Sequence, residues 1–159
     1  MSASFANIAK DFDYKLIDKL RKQLGQDDRV VKVGVPVSAE PEPDGTPMVL
    51  VAAVHEFGSP KNAIPERSFI RSAVSENTEQ YRRLNRINFV ALLKGSINVE
   101  TALKRLGEMA KSHMQQKIRS GPFQELKPET IARKGSSRPL IDTGNLIQSI
   151  TYEIGKKND

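Results

Sequence analysis

His55 and Glu56 stand side by side in a chain that has only one other histidine, His113. An imidazole beside a carboxylate is the start of a metalloprotease helix. That chemistry needs a second histidine four residues on, so that both rings face one side. Position 59 is Ser59. There is no cysteine, so thiolate ligands are absent, and His, Asp and Glu do not recur at ligand spacing. A serine or threonine nucleophile would have to use His55 or His113 as its base, yet no serine sits in a G-x-S-x-G turn. The G-S-P-K run at 58–61 has neither the leading glycine nor the trailing Ser or Thr of a phosphate loop. The sequence therefore assigns no catalytic residue, no metal site and no cofactor, and the expectation is that the protein is not an enzyme. A hydrolase built on His55 and Glu56 ranks last among the readings.

Charge is the more informative chemistry. The net charge is +6, which permits contact with nucleic acid or an acidic partner without identifying either. Arg82, Arg83 and Arg86, beside Tyr81, form the densest basic patch in a helical stretch. Such a run is ordinarily a solvated face; its functional reading is contact with a phosphate backbone or an acidic partner. A second basic group, Lys127, Arg133, Lys134 and Arg138, falls in irregular sequence that can order on binding. Against these stand Glu40, Glu42 and Asp44 between prolines. Aromatic content of 6 % with no Trp is thin for base stacking.

The elements that position these groups follow from periodicity. A chain of 159 residues suits one domain, 1–159. Phe5, Ile8, Phe12, Leu16, Leu20 and Leu24 recur at helical spacing, so 1–25 reads as an amphipathic helix ended by Gly25, packed at home or docked on a neighbour. Arg29 to Pro36 alternates as a strand. Residues 37–47, with three prolines and three acids, read as a mobile hairpin loop leading to a second strand, Met48 to Phe57. Pro65 then opens a long helix whose stripe runs Phe69, Ile70, Ala73, Val74, Asn77, Tyr81, Leu84, Ile87 and Leu92; its length predicts a kink or an extended partner. Asn98 caps a further helix that Gly121-Pro122 stops, with Gly107 offering close approach to another backbone. Asp142 or Thr143 caps a short helix over 144–149, and Ile150 to Ile154 reads as a strand before a disordered tail, 155–159. The expected fold is α+β: a small antiparallel sheet, made of the long hairpin plus the C-terminal strand, against two long helices, with an N-terminal helix. No apolar run reaches the length of a membrane span, and no signal peptide is visible, which points to a cytoplasm-like compartment.

Four stretches in order carry a resemblance: V-L-V-A-A-V followed by H-E-F-G at 55–58; I-P-E-R-S-F-I-R-S-A at 64–73; L-G-E-M-A at 106–110 leading to Q-K-I-R-S-G at 116–121; and L-K-P-E-T-I-A-R-K-G followed by P-L-I-D-T-G-N-L-I-Q-S-I. The chain resembles, over about residues 29 to 154, the tail-completion or neck proteins of long-tailed phages, the group of minor tail protein Z-like head–tail connectors. It departs at Ser68, where that family commonly has a proline. The resemblance implies a virion protein, assembled in the host cytoplasm, that forms a ring (a hexamer is the expected count) at the head–tail junction. Its partners would be copies of itself, a tail terminator or tail tube protein and a head-completion connector, with DNA threading the lumen unread and no membrane involved. Rings are made by repeated heterologous contacts, and the acidic loop of Glu40, Glu42 and Asp44 is expected to meet the neighbour's Lys127, Arg133, Lys134 and Arg138. Gly58 and Pro65 read as structural turn residues, with Phe57 and Phe69 entering the core. The competing reading is a basic nucleic-acid-binding module.

Overall fold

The alternating R-V-V-K-V-G stretch forms strand β1 (Arg29–Gly34), which pairs antiparallel with β2 (Thr151–Lys156). Val33 lies opposite Tyr152 and Val31 opposite Ile154, so four large side chains share one face. That face lies on the long helix Val99–Ser120 (α4), where the Tyr152 ring covers Gly107; a Cβ at 107 would come within 2.4 Å of it. The expected close approach at Gly107 is thus to a ring rather than to a backbone. The computed structural model describes residues 27–124 and 144–158, together with Asp18, Arg21, Lys22, Gly25 and Leu140. Asp18, Arg21, Lys22 and Gly25 lie in an N-terminal helix and are exposed; the rest of the predicted 1–25 helix lies outside the described residues.

From residue 27 on, the helices among the described residues are α1 (Met48–Phe57), α2 (Ile70–Glu76), α3 (Thr78–Leu93), α4 (Val99–Ser120) and α5 (Asn145–Ser149), with a 3-10 turn over Pro60–Asn62. The protein is α+β, with a small antiparallel sheet against α4. Within that class one expectation is overturned. Met48–Phe57, read as the second strand of a hairpin, is a helix, and the partner of β1 is the C-terminal strand. A continuous apolar run is compatible with either form. Here Met48, Ala52 and Glu56, four residues apart, are the buried positions, which is one stripe of a helix. Residues 37–47 consequently form a strand-to-helix connection instead of a hairpin loop. It is folded on itself: Ala39 N donates to Pro36 O (3.1 Å), Gly45 N to Glu42 O (2.8 Å) and Glu42 N to Thr46 O (2.9 Å).

A second expectation is revised at Pro65. The helix begins only at Ile70, and it breaks at Asn77 into α2 and α3; its length calls for a kink or an extended partner, and a break is what the structure has. The Asn77 side chain donates from Nδ2 to Ala73 O at 2.8 Å, satisfying a carbonyl released by the break. The inward stripe runs through the break in the same phase, Ala73, Asn77, Tyr81, Leu84 and Asn88 following one another at three- and four-residue spacing. Phe69 and Ala73 before it are buried and Tyr81, Leu84 and Asn88 after it face inward, whereas Val74 and Ile87 are exposed. Asn98 caps α4 as read, its Oδ1 accepting from Thr101 N at 2.8 Å, and Gly121 ends it.

The core gathers Met48, Phe69, Met114 and Ile150, all fully buried, with Ala52, Ala73, Ile118, Leu140 and Leu146. Burying a side chain of Phe69's size stabilises by roughly 2–3 kcal/mol. Phe57, expected in the core, is 64 % exposed. The strand β2 extends two residues beyond the predicted Ile154: Gly155 and Lys156 pair with Val30 and Arg29, and Lys157 N donates to Asp28 O at 3.0 Å. Backbone pairing is indifferent to side-chain polarity, so the polar tail is laddered as far as β1 offers partners.

Candidate functional site

The buried Glu56 carboxylate, 2 % exposed in the last turn of α1, is the most heavily bonded group in the described residues. Oε2 accepts from Phe69 N (2.9 Å) and Ile70 N (2.8 Å). Oε1 accepts from Ser68 Oγ (2.7 Å), Arg71 N (3.0 Å) and Arg71 Nε (2.9 Å). The first N–H groups of α2 are therefore capped by a side chain from another helix, since Phe69, at the N-cap position, has none to offer. This explains why α2 starts at Ile70 and not at Pro65. Arg71 closes the arrangement: its Nη2 donates to Glu56 O (3.1 Å) and to Glu66 Oε1 (2.7 Å), and its guanidinium lies over the Phe57 ring at 5.0 Å from the centroid.

The loop between α1 and α2 is equally constrained. Gly58 has φ +74°, and a Cβ there would meet Glu66 N at 2.9 Å. Ser59 and Ile64 exchange both backbone bonds, at 2.8 and 3.0 Å, and Arg67 N donates to His55 O at 2.8 Å. Gly58 is thus a turn residue, as read; Pro65 sits in the extended link that follows Ile64. Ser68, the departure from the resembled pattern, is one of the five donors to Glu56.

Burial pushes the Glu56 carboxyl up, but the hydrogen bonds from Ile70 N–H, Ser68 and Arg71 outweigh it and hold the group below the usual carboxylate range. The same bond, first among its causes, holds the Arg71 guanidinium above its ordinary value. Five donors against about four lone-pair sites leave the carboxylate saturated. Glu56 is committed to folding, which removes the carboxylate that the hydrolase reading requires. Among the described residues no group of three or more His, Cys, Asp or Glu converges on a common point. His113 lies on α4, where Nδ1 meets the Tyr81 hydroxyl of α3 at 2.9 Å; burial pushes His113 down and Tyr81 up. A shallow groove of about 170 Å³ on the sheet, between Lys32–Pro36 and Thr151–Glu153, is smaller than the roughly 300 Å³ at which small-molecule pockets begin.

The outer surface of α3 is more distinctive than this groove. On the inward side of α3, the buried Asn88 donates to Ala102 O (3.2 Å) and accepts from Arg105 Nη1 (3.3 Å), which locks α3 against α4. The outward side then presents Arg82, Arg83 and Arg86 together with Ile87 (53 % exposed), Phe89 (52 %) and Val90 (48 %). Arg82 pairs with Glu79 one turn away. The expected basic patch is therefore real as a surface, but it is half apolar, which periodicity concealed by placing Ile87 inside.

The acidic trio is divided. Glu42 is half-buried and its Oε2 accepts from Asn145 Nδ2 at the start of α5 (3.2 Å). Glu40 and Asp44 face solvent; the Asp44 carboxylate accepts from Thr46 N (2.9 Å), and that bond holds it below its ordinary value. Lys127, Arg133, Lys134 and Arg138 lie outside the described residues. The residue that sequence reasoning missed is Glu56 as a cap: the only signal for it is that α2 begins with no Ser, Thr, Asp or Asn at its N-cap. No protein-family model, curated protein or solved structure matches the chain.

Proposed function

We propose that this protein is a structural component of a long-tailed phage virion, a tail-completion or neck protein that assembles as a ring around the DNA channel and joins tail to head. The single observation that carries the assembly reading is the outward face of α3. Three large apolar side chains, each about half exposed, lie there among three arginines. A monomer gains nothing from holding such a face in water, whereas large apolar side chains interspersed with arginines are the make-up of a protein interface. The second support is rigidity. The Glu56–Arg71 cap and the Asn88 lock fix α1, α2, α3 and α4 in one geometry, as a ring subunit whose closure depends on a set rotation requires. The phage setting itself rests on the four-stretch resemblance. Neighbours in the ring would be further copies, and its two rims would meet a tail terminator or tail tube protein and a head-completion connector.

Light scattering on the purified protein, followed by imaging of labelled protein in phage particles, tests this. A defined multimer located at the head–tail junction supports it; absence from particles, or turnover of a substrate that needs His55, overturns it. The nucleic-acid reading draws on the same three arginines. Duplex binding with a steep salt slope and no self-association would favour that reading instead.

A further inference from the structure

We propose that the outward face of α3 seats residues 37–46 of a second copy of this chain, and that repetition of this one contact builds the ring. The proposal rests on the assembly reading above and names its contact. On α3, Arg83, Arg86, Ile87 and Val90 recur at three- and four-residue spacing and so share one stripe, with Phe89 at its flank. Arg83 and Arg86 make no ion pair with another described residue. The seat therefore calls for a segment with a small apolar tip and outward acids.

Residues 37–46 have that chemistry. Val37 is 86 % exposed, and Glu40 and Asp44 point to solvent. The segment is already ordered by its internal bonds and by Glu42 on Asn145, and it carries Pro41 and Pro43, so docking loses little conformational freedom. Within one molecule the two surfaces lie at different ends of α4. The middle of the acidic segment, Glu42, is held on Asn145 of α5, which α4 meets at Gln115, whose Nε2 donates to Ile147 O (3.0 Å). The apolar end of α3 is held at Ala102 and Arg105. From 105 to 115 a helix rises about 15 Å. Two different, separated patches that match each other make a heterologous contact, the kind that closes into rings. This pairing differs from the one expected with Lys127, Arg133, Lys134 and Arg138, and the two are separable by charge swap.

The experiment measures mass by light scattering of the full chain across protein concentration, at low and high salt, for four proteins: wild type, Glu40→Lys/Asp44→Lys, Arg83→Glu/Arg86→Glu, and the combination of all four changes. Circular dichroism melts verify that these exposed changes leave the fold intact. The wild type is expected to form a multimer. Each paired variant should raise the dissociation constant by roughly tenfold or more at low salt, because like charges then face each other, and the combination should recover assembly. Multimers of wild-type mass in the Arg83→Glu/Arg86→Glu protein would overturn this contact and leave the assembly reading standing. So would failure of the combination to recover, which would send the acids to another partner. Loss of duplex binding in the arginine variant with unchanged mass would also overturn it, in favour of nucleic acid. A wild type that stays monomeric at every concentration would remove the assembly reading itself.

Discussion

Glu56 and Arg71 are joined three times: Nε and the backbone N–H of Arg71 both donate to the carboxylate Oε1, and Nη2 donates to the Glu56 backbone carbonyl. One residue at the end of α1 thereby both starts α2 and fixes its direction. Replacing Glu56 with Ala strands the buried N–H of Phe69 and the part-buried N–H groups of Ile70 and Arg71. The expected loss is about 3 kcal/mol, read as a lower urea midpoint at unchanged slope. Glu56→Gln keeps one acceptor oxygen and should lose less. Equal midpoints for wild type and Glu56→Ala would show that the cap contributes nothing.

The same carboxylate sets an acid limit. Its folded value lies below the ordinary 4.5, so its contribution is present above about pH 4.5 and is lost as pH falls through the lowered folded value. Denaturant titrations between pH 7 and pH 3 should show wild-type stability falling more steeply than that of Glu56→Gln, whose side chain does not titrate. Parallel curves would assign the acid loss to other carboxylates.

His113 gives a second, milder window. Burial against Tyr81 lowers its folded value below the ordinary 6.5, so neutral imidazole is the form the fold accepts. The unfolded chain takes up a proton first as pH falls below about 6.5, and stability declines until the folded value is passed. In His113→Gln that step between pH 7 and pH 5 should vanish. A proton-NMR titration giving His113 an ordinary value would refute the assignment.

Gly107 has no room for a methyl group, because its Cβ would lie 2.4 Å from the Tyr152 ring. Gly107→Ala gains helix propensity of roughly 1 kcal/mol but forces the sheet off α4, so a net loss of about 1–2 kcal/mol is expected. Shortening the partner in Gly107→Ala/Tyr152→Val should turn the alanine stabilising. A double-mutant cycle with no coupling would contradict the contact.

Gly58, at φ +74° and ψ 174°, occupies backbone space essentially reserved for glycine and abuts Glu66 N, so Gly58→Ala should cost about 1–3 kcal/mol from backbone conformation alone. Because the loop holds α2 against the Glu56 cap, its thermal midpoint should fall together with that of Glu56→Ala and not additively with it. Simple additivity would mean that loop and cap act separately.

What could be read from one dimension was whatever is local. Val31, Val33 and Val35 alternate, Asn98 stands where an α-helix needs an acceptor, and Gly121-Pro122 ends it; β1 and both limits of α4 follow from those residues. The α+β class followed as well. The run Met48–Phe57 could not be assigned locally, because unbroken hydrophobicity suits a strand covered on both faces or a helix with a wide buried stripe. Which form it takes was decided by the fold: β1 takes the C-terminal strand as its partner, and the run buries Met48, Ala52 and Glu56 along one helical side. The start of α2 was hidden for the same reason, since its cap arrives from twelve to fifteen positions away in the chain. The mixed face of α3 also emerged only in three dimensions: Asn88 takes the inward position against Ala102 and Arg105, which leaves Ile87 outward beside Arg83 and Arg86. Short-range periodicity dictates the elements; which side of each meets water depends on contacts between residues that sequence spacing does not bring near.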